Sequence, residues 1–448
     1  ALQEMQASQG NGDALTAILD AVKELPMFSL ELSKITKGID RLVLDRELSR
    51  MLEYIPALPF RDRHRDLQLR RMEGVGQWIL DMPQFIEWRD GSSSQGSTLW
   101  CNGSPGAGKT YLASVIVDHL EQISSQNDNR VLCFYLDYKQ QTEQTPFKIL
   151  QTILQQLLST YPRVPAAAMD LQTRLTSGKG LPSWNELKPL FIDLCNASGR
   201  VFIVIDALDE CDLDSNRRPV LDLLQSLIRS RVRLLITSRP YPEDIDNLLG
   251  RYPQVLVEAS DADIRVYVLE QIAGSRRMAS IIDRTLREEI ISSIVAKSQG
   301  MFLLPALQIH NILGQTNKRQ VVAALKSLPT GLAENLNLTI ERIKSQNSQS
   351  DTKARLALNI LMWLSTVRTP LTASELQHAI ATSPEMLQLD DLIDPVFFVE
   401  CCFGLVSIVK ETSIVRLVHF SVNEYLQSKK NELFPGADAT VAISSLSY

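Results

Sequence analysis

The stretch Gln95-Gly96-Ser97-Thr98-Leu99-Trp100-Cys101-Asn102-Gly103-Ser104-Pro105-Gly106-Ala107-Gly108-Lys109-Thr110 decides the fold. A short apolar run ends at Cys101 and enters Gly103–Thr110, after which Tyr111–Ile123 carries helical periodicity, so strand, loop and helix are predicted in direct succession. In that context G-x-x-x-x-G-K-[ST] is a phosphate-binding loop. Its glycines let the backbone of Gly103-Ser104-Pro105-Gly106-Ala107-Gly108 curl, so that its N–H groups and the helix start at Tyr111 face a polyphosphate. Lys109 adds a point charge for β- and γ-phosphates, and the Thr110 hydroxyl joins the shell of a Mg²⁺ ion.

C-terminal to the loop, strand and helix patterns alternate: a strand over Arg130–Tyr138, helices over Pro146–Tyr161 and Trp184–Asn196, and a continuous apolar run, Val201–Ile205. Such a run is a strand buried on both faces of a parallel sheet. It ends in Asp206-Ala207-Leu208-Asp209-Glu210. A helix from Arg217 to Ser230, a strand Val232–Thr237 ending in Ser238-Arg239-Pro240, and a last strand Gln254–Glu258 complete the set. The pattern predicts an α/β doubly wound parallel sheet with its ligand at the strands' carboxyl ends, where the loop, the acidic cluster and Arg239 all lie.

N-terminal to the loop, Leu15–Leu25 and Leu32–Leu42 have helical spacing and read as a lead-in over 1–60. Arg61-Asp62-Arg63-His64-Arg65-Asp66-Leu67-Gln68-Leu69-Arg70-Arg71 is a dense basic run interleaved with acids, and a solvated face is the default expectation for it. Gly74 and Gly76 open an apolar helix and let backbone approach a flat ring such as adenine. Gly91–Gly96 reads as a surface loop.

From Asp261 the strands stop, and helices follow to Pro329-Thr330-Gly331. Beyond them come helices over Leu332–Ile343 and Ala354–Leu364, then a capping box in which Thr372 is the N-cap and Glu375 stands three residues on. Two apolar strands, Phe403–Val409 and Ser413–Val418, joined by Lys410-Glu411-Thr412, and a helix Val422–Leu426 suggest a winged-helix module.

At 448 residues the chain has length for about three domains. With 44% hydrophobic and 22% charged residues it is globular, and a net charge of −6 offers no general nucleic-acid footprint. No apolar run has the length of a membrane helix. Six cysteines form no C-x-x-C pair and read as buried thiols of a reducing, cytoplasmic compartment, while five scattered histidines argue against a transition-metal site. The chain begins Ala-Leu-Gln and is expected to be a piece of something longer.

A Mg²⁺–nucleotide site needs a carboxylate to orient the ion through its waters, and Asp206 at its strand end is placed for that, with Thr110 the other metal-side residue. Glu210, supported by Asp209, is the candidate to orient or deprotonate an attacking water. Arg239, ending a strand expected beside the phosphate-loop strand, reaches a γ-phosphate. The catalytic set is thus Glu210, Asp209, Lys109 and Arg239.

Gly103–Thr110, Ile205-Asp206-Ala207-Leu208-Asp209-Glu210, Thr237-Ser238-Arg239, Gly300-Met301-Phe302-Leu303 and Val418-His419-Phe420-Ser421-Val422-Asn423-Glu424-Tyr425-Leu426 together resemble the NACHT module of fungal NOD-like receptors, a branch of the STAND signal-transduction NTPases. Arg71–Trp78 resembles the family's segment before the phosphate loop, which contributes to the base pocket and includes Gly76. The resemblance implies a nucleotide-binding domain over 61–260, a helical domain over 261–330 and a winged-helix domain over 331–448. Ala439–Tyr448 looks like the family's lead into a missing ankyrin-repeat sensor. It further implies an N-terminal effector, a slow nucleoside triphosphatase serving as an ATP/ADP switch, self-association on activation, and a role in innate immunity or programmed cell death. The family's winged-helix histidine, which contacts the bound diphosphate, falls on His419. Many relatives have Gly-x-Pro where this chain has Gly300-Met301-Phe302, and Pro305 comes too late to replace that proline. ATP/ADP is favoured over GTP, which stays open; Asn317-Lys318-Arg319-Gln320 lacks the aspartate of a guanine-reading motif. The rivals are a metabolic or transport P-loop enzyme, for which no lid or transporter signature is present, and a scaffold that binds nucleotide without hydrolysis.

Overall fold

Five apolar runs become five parallel strands: β1 Thr98–Asn102, β2 Arg130–Tyr135, β3 Val201–Asp206, β4 Arg233–Ser238 and β5 Gln254–Leu256, in the order β2-β3-β4-β1-β5. Every residue of β1, β3 and β4 is buried, as central strands covered on both faces must be. The computed structural model describes residues 48–91, 98–124, 129–211, 216–240, 242–345, 352–381, 394–409 and 412–446. The helices expected before residue 48, the loop at 92–96, the Lys410-Glu411 turn and the last two residues lie outside the described residues.

By contacts the chain divides into two units, 1–56 with 154–194, and 57–153 with 195–448. In the first, Gln155 Nε2 donates to the carbonyls of Leu52 and Ile55 at 3.0 Å each. The sheet, the site and everything C-terminal to them belong to the second. There β1 pairs with β4 from Thr98↔Leu234 to Asn102↔Ser238, so the residues that follow, Gly103 and Arg239, emerge side by side. Val257 N–H donates to the Asn102 carbonyl on the other flank (2.7 Å) and holds β1 at its end. Strand β2 stops at Tyr135, earlier than its apolar pattern suggests, because Asp137 turns the chain by accepting the Lys139 N–H (3.0 Å).

Beyond the sheet, helices Asp261–Gly274, Arg284–Lys297, Leu303–Leu313 and Lys318–Lys326 share a core of Ile264, Val268, Ile290, Ile294 and Ile309. Asn317 is the N-cap of the last, its side chain accepting the Gln320 N–H at 3.0 Å, which accounts for the N-K-R-Q run as a helix start. Helix Ala373–Ala381 has the full capping box: Glu375 accepts the Thr372 N–H (2.7 Å) and donates its own N–H to Thr372 Oγ1 (3.2 Å). The two expected wing strands are β7 Val406–Ile408 and β8 Ile414–Leu417, joined by a short third strand, β6 Leu371–Thr372, in the order β6-β8-β7. Helix Ala437–Leu446 adds Ala437 to this module's core. All six cysteines are buried and none is in a disulfide, and among the described residues no helix is long and apolar enough to cross a membrane.

Candidate functional site

Lys109 opens helix Lys109–Ser124, as a phosphate loop requires. Gly106 (φ 75) and Gly108 (φ 98) are left-handed, where a Cβ is disfavoured, and at Gly106 a Cβ would sit 2.7 Å from that of Leu303. Lys109 Nζ donates to the carbonyls of Gly103 (2.8 Å) and Ser104 (3.1 Å), which hold the ammonium at the loop's mouth. Burial pushes the Lys109 pKa down, against the pull of Asp209 and Asp206. The loop lines a cavity of about 450 Å³.

Asp206 is buried at the end of β3, and burial raises its pKa while hydrogen bonds from the Thr237 and Thr110 hydroxyls favour its charged form. Thr237 Oγ1 stands 2.5 Å from Asp206 Oδ1 and accepts the Ala207 N–H (2.9 Å). That bond holds Ala207 left-handed (φ 57), a cost of about 1–2 kcal/mol for a residue with a Cβ, and the turn throws Leu208–Glu210 across the strand ends. A hydroxyl and a carboxylate in contact beside the loop are the hard oxygen donors that suit Mg²⁺. Glu210 Oε2 accepts the Tyr138 N–H (3.1 Å); burial first, then Asp137 and Asp209, push its carboxyl well above the usual range. Asp209 commits both oxygens to Arg239, to its N–H (3.0 Å) and its Nε (3.1 Å).

The winged-helix module roofs this end. Arg239 forks Glu424 at 2.9 and 3.0 Å, and its guanidinium lies 5.0 Å from the centre of the Phe420 ring, which packs on Tyr138. His419 lines the same cavity and caps helix Phe420–Ser428, its Nδ1 accepting the Ser421 N–H (3.0 Å). Burial, then Lys109 and Arg239, lower its pKa to about 4. The ring is therefore neutral near pH 7, with its proton on Nε2.

At the cavity's other end Gly76 (φ 80) donates its N–H to Asp263 Oδ2 (3.3 Å), while Tyr267 and Phe302 meet edge to face at 5.4 Å. The N–H groups of Phe302 and Leu303 both donate to the Gly106 carbonyl, at 2.7 and 3.1 Å. A proline at 302 would have no N–H to give.

The expected solvated face at 61–71 accounts for only part of the run: Arg61, Asp62, Arg65, Gln68 and Leu69 are exposed, and the other side turns inward. This run is the helix Phe60–Arg70 with His64, Asp66 and Leu67 buried, and Arg63, Arg70 and Arg71 on the cavity wall. The interleaved acids are the reason: Asp66 draws in Arg63 (3.8 Å), Arg70 (2.9 Å) and Arg416 of β8, and Arg71 reaches Asp118 at 2.6 Å. His64 bridges Tyr135 (2.6 Å) and Asp118 (3.0 Å). Burial would raise the Asp118 carboxyl, yet its hydrogen bonds from His64, Gln68 and Arg71 bring it down to about 2. Spacing in the sequence could have signalled Asp66 with Arg63 and Arg70, at i−3 and i+4 on one helix; nothing local points to Arg416 or Glu424.

Residues 74–239 match the family described as nephrocystin 3, N-terminal, and residues 345–444 match the GPI inositol-deacylase winged helix domain. The vegetative incompatibility protein HET-E-1 of Podospora anserina is 24% identical over 366 residues, 78% of this chain. Together these matches support a NACHT-type STAND NTPase. The chain spans 26% of the length of HET-E-1. Among solved structures, the chain has a loose likeness to a Walker-type ATPase of Pyrococcus abyssi (11% identity, 79% of this chain and 94% of that one, TM-score 0.38). Another such likeness is to the Orc1 protein of Aeropyrum pernix in complex with DNA (15% identity, 88% and 97%, TM-score 0.34).

Proposed function

We propose that the chain is a nucleotide-operated switch, closed with ADP, opened by exchange for ATP and reset by slow hydrolysis. The observation that carries this reading is Arg239: the arginine at the end of β4, beside the phosphate loop, is forked by Glu424 of the winged-helix module. A γ-phosphate competes for the same guanidinium, so a triphosphate draws Arg239 off Glu424 and loosens the roof. Lys109 binds the β-phosphate, His419 donates to it from Nε2, and Gly76 with the Tyr267–Phe302 pair bounds the adenine. Thr110 and Asp206 would hold a Mg²⁺ ion, which would neutralise phosphate charge. Glu210, a carboxylate with raised proton affinity, holds the attacking water's proton.

The same reading places the chain in the cytoplasm, self-associating when open, between an N-terminal effector and a C-terminal repeat sensor. The name of HET-E-1 ties that relative to vegetative incompatibility, and the likeness supports a fungal receptor of innate immunity or programmed cell death. Denaturing the purified chain and running the released nucleotide on ion exchange tests the reading. Stoichiometric ADP is expected; guanine nucleotide would overturn the base assignment, and a protein that neither carries nor binds any nucleotide would overturn the switch.

A further inference from the structure

Helix Phe60–Arg70 and strand β8 bring three guanidinium groups to one buried carboxylate. Asp66 Oδ1 pairs with Arg70 Nε at 2.9 Å, and Oδ2 faces Arg416 and, at 3.8 Å, Arg63. Asp66 is the one carboxylate paired with these three guanidinium groups on the wall of the cavity, with Asp206 acting on Arg63 from farther off, and the neighbouring Arg71 is already answered by Asp118. Arg63 Nε and NH1 and Arg70 NH2 are shut off from solvent, yet none has a hydrogen-bond partner among the described residues. Unanswered buried cationic donors are costly to a fold, and planar guanidinium forks match phosphate oxygens. Tyr111, directly after the phosphate loop, shares this wall, so one ligand can reach from the loop into the basic lobe.

We infer that the lobe formed by Arg63, Arg70 and Arg416 binds a phosphate dianion beyond those taken by the phosphate loop. The inference rests on reading the cavity as a nucleotide site. The group has two sources: a phosphoryl on the ribose of the bound nucleotide, or free inorganic phosphate beside an ordinary diphosphate.

Calorimetric titration of the full chain in phosphate-free buffer separates them, using ADP, adenosine 3′-phosphate 5′-diphosphate, and ADP with inorganic phosphate added. Arg63→Gln is the informative variant, because Arg63 stands farthest from Asp66 and its loss leaves Arg70 and Arg416 on that carboxylate. Expected is a gain of about tenfold in affinity from the extra phosphate, the worth of one charged hydrogen bond, erased in Arg63→Gln when each protein's affinity is compared with its own affinity for ADP. A gain with the ribose phosphate alone identifies the first source, and a gain only with added inorganic phosphate the second. Equal affinity in all three titrations overturns the inference while leaving the nucleotide reading intact. If ADP itself fails to bind, the nucleotide reading falls. Titration with inorganic phosphate alone then decides: binding lost in Arg63→Gln sustains the lobe, and no binding overturns it.

Discussion

Glu424→Gln isolates the contact on which the proposed switch turns. Glutamine keeps the size of the side chain and removes the charge that Arg239 grips, while Asp209 and the Phe420 ring still hold the arginine. A hydrogen bond to a charged group is worth about 1.5–3 kcal/mol, whereas an exposed ion pair is worth about 0.2–1. Arg239 is 17% exposed and Glu424 43%, so the fork lies between these limits, at about 1–2 kcal/mol. That is roughly a 5- to 30-fold shift, at 1.36 kcal/mol per decade. Full opening takes about 5.5 kcal/mol, so the variant is loosened and not constitutively open. Stopped-flow release of a fluorescent ADP analogue should therefore quicken by roughly 5- to 30-fold, and the acceleration that salt produces in the wild type should shrink. An unchanged rate with unchanged salt dependence would refute the proposed competition for Arg239.

Lys109→Ala should abolish tight nucleotide binding by removing the ammonium at the loop's mouth; near-wild-type affinity in calorimetry would sink the phosphate-loop assignment. Glu210→Gln should keep binding and slow hydrolysis by roughly 10²–10⁴-fold, and an unaltered turnover number would pass the role to another residue. His419→Ala loses both the helix cap and the reach to the diphosphate, so ADP release should quicken and the nucleotide-free protein should lose about 1 kcal/mol. His419→Asn, able to cap, should quicken release with little change in melting temperature, and equal melting losses in the two variants would make His419 purely structural. The His419 pKa falls from 6.5 to about 4 in the fold, so the unfolded chain binds the extra proton first. Stability should drop as pH falls from about 6.5 toward about 4, and urea midpoints over that window should depend less on pH in His419→Asn.

The sheet was legible because its signals are local: the glycines of 103–108, the apolar run at 201–205 and the capping box at Thr372 each act within a few residues. The register that sets Arg239 beside Gly103 followed from the alternation of strands and helices. The basic run at 61–71 misled because composition reports charge and not its partner: Asp66 is buried by Arg416, 350 residues away. Glu424 was hidden for the same reason. It sits inside the Val418–Leu426 motif, but only the placement of the winged-helix module over β4 gives it Arg239 as a partner. At Phe302 the sequence disclosed a departure from the family pattern but not its compensation, a backbone N–H delivered to the Gly106 carbonyl.

That pair of N–H bonds ties the start of helix Leu303–Leu313 to the phosphate loop. Eleven residues span about 16 Å at 1.5 Å each. A tilt of about 10° at the helix start, small against the scatter of helix packing angles, moves the tip by about 3 Å. Gly314, just past the tip, is pressed by Arg342, and a Cβ there would lie 3.1 Å from its NH2. Arg342 also bonds to Asn311 and lies 4.6 Å from the centre of the Phe403 ring, next to the wing. A tilt of this helix about Gly106 would thus be felt at Arg342 as a displacement about the size of an atom.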